Sequence, residues 1–235
     1  MANVNSNKYT VIYATVITVI VAVILSLAAT SLKGLQDKNV AIATMTDILK
    51  AVSLDDAEDI EATYKKYIKG TVVDFEGNKF ETNIKPLDVN VKKESKKSKE
   101  ERMYPVFIYT NDKGETNYIV PVRGFGLWDA IWGYVALGSD LNTVVGVAFD
   151  HVGETPGLGA EIKDNKAWGN SFKGKTIFDK SGNYVSVGVV KGVLTDEEHQ
   201  VSSISGATMT SKGVSKMLFE GLQDYLPYFN KQKAS

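Results

Sequence analysis

The chain has 235 residues, room for one or two domains, and a formal net charge of −1 from 27 basic and 28 acidic residues. That balance excludes a broad basic surface for nucleic acid, and a hydrophobic share of 43% is enough for a sizeable core. Cysteine is absent, which removes disulfides, thiolate metal sites, Fe–S ligation and a cysteine nucleophile at once.

Residues 1–8 read as a short N-terminal tail. The stretch "YTVIYATVITVIVAVILSLAATSL", 9–32, then runs uncharged between Lys8 and Lys33. At roughly 1.5 Å per helical residue it exceeds the ~30 Å hydrocarbon thickness of a bilayer, which predicts a retained transmembrane helix. A cleaved signal peptide is the competing reading, with Ser26-Leu27-Ala28 as its small-residue site, but signal cores usually run only ~7–15 apolar residues. Lys33, Lys38 and Lys50 follow the run against Lys8 before it, so the positive-inside rule alone favours a cytoplasmic domain. The run holds no carboxylate and reads as an anchor, not an ion pathway.

Residues 33–102 read as a helical and charged connecting region. "NVAIATMTDILKAV" sets Ile42, Met45, Ile48, Leu49 and Val52 on one helical face. "DDAEDIEATYKKYI", 55–68, predicts a second helix with Ala57, Ile60, Tyr64 and Ile68 inward and acidic residues at its positive end. "VNVKKESKKSKEER", 89–102, is a solvated loop or exposed helix face, or a contact to anionic lipid.

From residue 103 the pattern turns to strands. "YPVFIYTNDKGETNYIVPV", 104–122, predicts a hairpin turning at Asn111–Gly114, and "LNTVVGVAFDHV", 141–152, a further strand. "TIFDKSGNYVSVGVV", 176–190, predicts another hairpin, turning at Ser181-Gly182-Asn183. "TSKGVSKMLFEGLQDYL", 210–226, closes the chain as an amphipathic helix that Pro227 ends. The fold class is α+β: an N-terminal transmembrane helix, then one domain of antiparallel sheet and helix over 103–235.

One motif is a decoy. "GNSFKGKT", 169–176, satisfies the phosphate-loop pattern, but "EIKDNKAW" before it is no buried strand, and strand and turn follow it instead of a helix. The amides needed to cradle phosphates are not gathered. His151 and His199 are far apart with no ligand set around them, so no metal site is assigned.

Two small-residue stretches remain. In "SGATMTS", residues 205–211, Ser and Thr sit where the last helix starts, near Thr208 or Thr210. They read either as an N-cap or as a phosphate site, with Gly206 and Ala207 admitting a bulky group and Thr208 offering the oxygen. "GETPGLGAEI", 153–162, follows an apolar strand, with a turn at Pro156-Gly157 and Leu158 as an apolar surface.

"SGATMTS" resembles the flavinylation motif of the FMN-binding domain family, and "GETPGLG" its companion loop. The stretch "GFGLWDAIWGYVALGSDLNTVVGVAFDHVGETPGLGAEI", 124–162, resembles the C subunits of sodium-translocating NADH:quinone reductases. The G subunits of Rnf electron-transport complexes share the two loops but generally not "GLWDAIWGY". A membrane-tethered interaction module without a redox role is the remaining alternative.

The resemblance implies an electron-transfer subunit of a respiratory complex with FMN attached through its phosphate to Thr208. It places Ser205, Gly206, Ala207 and Thr210 around the phosphate, and Glu154, Thr155, Pro156, Gly157, Leu158 and Gly159 along the flavin. It implies no catalytic acid or base and no metal on this chain. A separate flavin transferase makes the attachment from FAD, releasing AMP, and the partners are the other subunits and the lipid bilayer. The domain is expected on the periplasmic side of the cytoplasmic membrane, against the charge rule. The family motif usually carries Asp three positions before its Ser, where this chain has Ser202. Trp128 and Trp132 read as core or interface aromatics, or as neighbours of the flavin.

Overall fold

The computed structural model describes residues 6–234; residues 1–5 of the expected tail lie outside the described residues. The first element is one helix, α1 (Asn7–Lys50). The sequence predicts a membrane helix and then a separate one, but nothing between them stops a helix. Gly34 alone is unfavourable, by about 1 kcal/mol, and its Lys, Leu and Gln neighbours are good helix formers. The polarity there marks a change of surroundings, not of backbone.

The chain divides into two compact units between Ile42 and Ala43. The first is helical. An 18-residue window of α1 has a mean hydropathy of 2.7 with none of it buried, long and apolar enough to cross a membrane. Its hydroxyls are satisfied locally: Thr15, Thr18 and Thr30 each donate to the carbonyl one turn back at 2.8 Å. A polar group so paired costs little in hydrocarbon.

The second unit is built on a five-stranded antiparallel meander, β1 (Ile68–Val73), β2 (Tyr104–Thr110), β3 (Thr116–Phe125), β4 (Ala130–Leu137) and β5 (Val144–His151), paired in chain order. A short helix α2 (Ile60–Tyr67) leads into it. The Asp59 carboxylate caps α2 by accepting from the Ala62 amide, so α2 begins later than the acidic run suggests. Ile68 leaves the helix to open β1, which lies within the region expected to be connecting and pairs with β2 from Ile68↔Tyr109 to Val73↔Tyr104. A single turn, α3 (Val91–Glu94), follows, capped by Asn90.

The hairpin expected at 104–122 is β2–β3, and the strand expected at 141–152 is β5. Both faces of the sheet are covered, so its strands read as nearly continuous apolar runs. On one face Ile68, Phe107, Ile119, Ala136 and Ala148 pack with Ile48 and Leu49 at the end of α1 and with Ala51 just beyond it. On the other, Val120, Val122, Ile131, Val135 and Phe149 meet Val214, Met217, Leu218 and Leu222 of α6 (Thr208–Gln223). Two short helices, α4 (Glu161–Asp164) and α5 (Lys166–Asn170), add Ile162 and Trp168 to that core.

Two expectations are corrected. The hairpin at 176–190 amounts to one bridge, Phe178↔Tyr184. The Asp179 carboxylate accepts from the Ser181 and Asn183 amides and tightens the turn. Ser186, at a φ of 61°, then breaks the extension, and β6 (Gly188–Val190) pairs in parallel with β7 (Gln200–Ser202). Pro227 does not end the last amphipathic helix. It sits in the first turn of α7 (Leu226–Lys233), where its missing N–H costs no hydrogen bond.

Candidate functional site

β3 and β5 run the same way on either side of β4, with Phe125 opposite Ala130 and His151 opposite Ile131. The loops that follow them therefore leave the sheet at one end. β7 delivers the third loop, 203–207, to the start of α6. Three chain segments remote in sequence are gathered there, and two of them are the small-residue stretches.

The start of α6 is not capped in the expected way. The residue before it is Ala207, and no side chain bonds its free end. The amides of Thr208, Met209 and Thr210 have no acceptor among the described residues. Three unpaired N–H groups at the positive end of a 16-residue helix are an arrangement that can receive an anion. Gly206 supplies the left-handed turn ahead of them at a φ of 74°, and a side chain there would also strike Leu158.

The hydroxyls nearby go elsewhere. Ser211, 1% exposed, accepts from the Ile204 amide at 3.2 Å, and Ser215 accepts from the Val189 amide at 2.6 Å. Thr210, also 1% exposed, donates to the Glu154 carboxylate at 2.5 Å. These bonds pin the loop and β6 to the helix instead of closing the helix end. Thr208 is half-buried, and its hydroxyl has no hydrogen-bond partner among the described residues. Ser205 is exposed on the loop beside it.

Glu154 joins the three loops. One carboxylate oxygen accepts from Thr210, and the other accepts from the Trp128 amide at 3.0 Å. Its own amide donates to His151 Nδ1 at 3.1 Å. The expected phosphate contact Thr210 and the expected flavin contact Glu154 are thus buried against each other, beneath the surface that Ser205, Gly206 and Thr208 present. Thr155, Pro156, Gly157 and Leu158 are exposed, and Gly159 is buried under them. The loop is a tight turn in which Leu158 and Ala160 amides both donate to the Thr155 carbonyl, with Gly157 at a φ of 72°.

Large apolar side chains stay exposed on these segments: Phe125, Leu127, Trp128, Val152, Leu158 and Met209. Such a concentration marks a surface that binds something. The two tryptophans part company here. Trp128 belongs to the site, its indole N–H donating to Thr155 Oγ1 at 3.2 Å. Trp132 points with Tyr134 to the sheet face away from α6, near the Arg123 guanidinium. The sequence alone leaves Trp128 without a firm place, although a tryptophan in a Gly-rich hairpin loop is a usable signal.

The decoy loop stays a decoy: α5 leads into Gly174, and Lys175 reaches the Glu197 carbonyl. His199 lies apart from the site. Burial disfavours its charge, but the Phe178 carbonyl and the Asp196 carboxylate outweigh that and hold its pKa above the ordinary value. No group of three or more His, Cys, Asp or Glu that could hold a metal occurs among the described residues.

The FMN-binding domain family matches residues 126–223, which contain all three loops. Over the full length of both chains the sequence is 32% identical to the C subunit of the Na(+)-translocating NADH-quinone reductase of Pseudomonas aeruginosa. It is 34% identical to that of Neisseria meningitidis serogroup B, over 96% of this chain and 94% of the other. The crystal structure of the corresponding C subunit from Parabacteroides distasonis superposes with a TM-score of 0.77 at 39% identity, over 84% of this chain and 96% of that one. Shewanella oneidensis NqrC gives 0.73 at 29% identity, over 84% of this chain and 100% of that one.

Proposed function

The chain belongs to the family of C subunits of the Na(+)-translocating NADH-quinone reductases, and on that premise we propose that it is the complex's covalent FMN carrier, with Thr208 as the attachment point. The observation that carries this reading is the division among hydroxyls at the start of α6. Thr210 and Ser211 are bonded and buried, whereas Thr208 stands unpartnered beside three free amides.

Attachment is a phosphoryl transfer. Thr208 Oγ loses its proton and bonds to the flavin-side phosphorus of FAD, the pyrophosphate bond breaks, and AMP leaves. A separate transferase performs it. The free amides of Thr208, Met209 and Thr210 would donate hydrogen bonds to the resulting phosphodiester, with Ser205, Gly206 and Ala207 beside it. Leu158 and the Thr155–Gly157 turn supply the apolar wall a flat ring requires, and Trp128 borders it. Bound FMN supplies one- and two-electron redox capacity. The chain's own residues hold the ring, limit its contact with water and keep it from dissociating, so that neighbouring subunits find it in one place.

The N-terminal helix serves as the anchor in the cytoplasmic membrane, and the domain lies on the periplasmic side. Residues 103–235, with β1 completing the sheet, form the flavin-carrying part. Intact-mass spectrometry of protein produced with a flavin transferase tests the reading: a single FMN increment is expected on the native chain and none on Thr208→Ala.

A further inference from the structure

The buried hydroxyl two residues beyond Thr208, that of Thr210, ends on a buried carboxylate. Glu154 is 5% exposed and carries no salt bridge to a cation among the described residues. It receives the Thr210 hydroxyl from α6 on one oxygen and the Trp128 amide from the β3–β4 loop on the other. Space has been cleared around it by omitting side chains. A Cβ on Gly126 would collide with one carboxylate oxygen, and a Cβ on Gly159 with the other and with Thr210 Oγ1. A buried carboxylate without a cation is costly unless hydrogen bonds hold it. Two donors on two different loops do so here.

Thr210 lies only two residues beyond Thr208, in the first turn of α6, where the amides have no carbonyl to bond. The helix itself holds that turn only through its carbonyls, beginning with the Ser211 amide donating to the Ala207 carbonyl at 2.9 Å. We propose that the Glu154–Thr210 hydrogen bond is a positioning device for the modification site: it fixes the first turn of α6 against the 153–159 loop, and so sets the Thr208 hydroxyl and the three free amides at the geometry the transferase requires. Neither side chain touches the incoming group. Both act through Thr208. This rests on Thr208 being the attachment point, but the effect on the helix start exists before any flavin is added.

The test compares Thr210→Val, Thr210→Ser and Glu154→Gln in the full chain, in detergent. Two readouts are taken. The first is hydrogen exchange of the Ala207 and Ser211 amides, which are bonded to the Ile204 and Ala207 carbonyls, in protein made without transferase. The second is the rate of covalent FMN gain, followed by intact mass, at limiting transferase and FAD. Valine keeps the shape of threonine but deletes the donor. It is expected to speed exchange at the helix start about tenfold or more, the loss of one charge-assisted bond, and to slow flavin gain by a similar factor. Serine restores the donor and both readouts. Glu154→Gln leaves one acceptor oxygen for two donors and gives an intermediate result. Equal losses in the serine and valine variants would overturn the proposal, as would wild-type exchange and flavin gain in Thr210→Val. If Thr210→Val does not fold, Glu154→Gln decides by the same two readouts. If the native chain gains no flavin, the attachment reading falls, while the exchange comparison still decides whether the bond fixes the helix start.

Discussion

Thr208→Ala separates a hydroxyl kept for chemistry from one kept for folding. Thr208 makes no described side-chain hydrogen bond and is half-buried, so alanine removes a partly covered methyl and an unpaired oxygen. The methyl contributes a few tenths of a kcal/mol, and alanine's better helix propensity returns a similar amount. Net destabilisation is within about 0.5 kcal/mol, a shift of at most about 2 °C for a chain of this size. Ser211→Ala, three residues on, is the control. Ser211 is 1% exposed, and its oxygen is the acceptor for the Ile204 amide. Its loss leaves that amide buried and unpaired, at a cost of about 1–3 kcal/mol, or roughly 2–12 °C. Thermal unfolding by near-UV circular dichroism in detergent, beside intact mass after production with transferase, reads both quantities. The expected pair is no flavin with native stability for Thr208→Ala, and lowered stability for Ser211→Ala. A full FMN increment on Thr208→Ala, or a melting loss as large as that of Ser211→Ala, refutes the assignment.

Three further outcomes follow from particular groups. The chain has no cysteine, and Val193 is 88% exposed, so Val193→Cys offers a clean reporter of sidedness. A membrane-impermeant maleimide applied to spheroplasts is expected to label it, and labelling only after lysis would put the domain in the cytoplasm. Burial, and next the nearby Asp150 carboxylate, push Asp47 from 3.8 to about 6. Folding therefore favours its protonated form, and stability falls as pH rises from about 4 to about 6, by no more than about 3 kcal/mol. Asp47→Asn should flatten that fall and melt higher than wild type at pH 7.5; an unchanged pH profile counts against it. His199 has the same sign in a higher window. Its charge is held by Asp196 and the Phe178 carbonyl, so its contribution is full below about 6.5 and is lost as pH rises through its elevated folded pKa. His199→Gln removes that dependence, and a melting curve that still declines with pH in that window would show that the decline has another source.

Elements whose periodicity is set by their own packing were legible in the sequence. The β2–β3 hairpin carries its turn in Asn111–Gly114, and α6 shows Val214, Met217, Leu218 and Leu222 at helical spacing because one face alone is buried. What escaped was fixed by partners distant in the chain. β1 is an ordinary charged sequence, "IKGTVV", and is a strand because β2 offers it an edge. β4, "AIWGYVAL", is interrupted by Gly133 and buried on both faces, so it shows no alternation. β6 left its expected hairpin because Ser186 turns the chain toward β7. The two loops of the candidate site were found from their residues, and the family resemblance set both around one flavin, but the direct bond between them was not foreseen. Nothing in "GETPGLG" announces that its glutamate accepts from a threonine 56 residues on.

The crowding of hydroxyls before α6 follows from what an open helix end demands. A capped end would have its first amides satisfied by a serine or threonine and could not receive a phosphate; a bare end would fray without one. This chain avoids both. It leaves the three amides free and recruits the next hydroxyls, Thr210 and Ser211, to hold the same turn from its buried side through Glu154 and Ile204. The turn is thus held by its side chains while its backbone donors stay available. That arrangement requires hydroxyls at two adjacent inward positions and an unencumbered one just ahead of them. The order Thr208, Thr210, Ser211 meets that requirement, and any rearrangement that moved a cap onto Thr208 would close the anion site as it stabilised the helix.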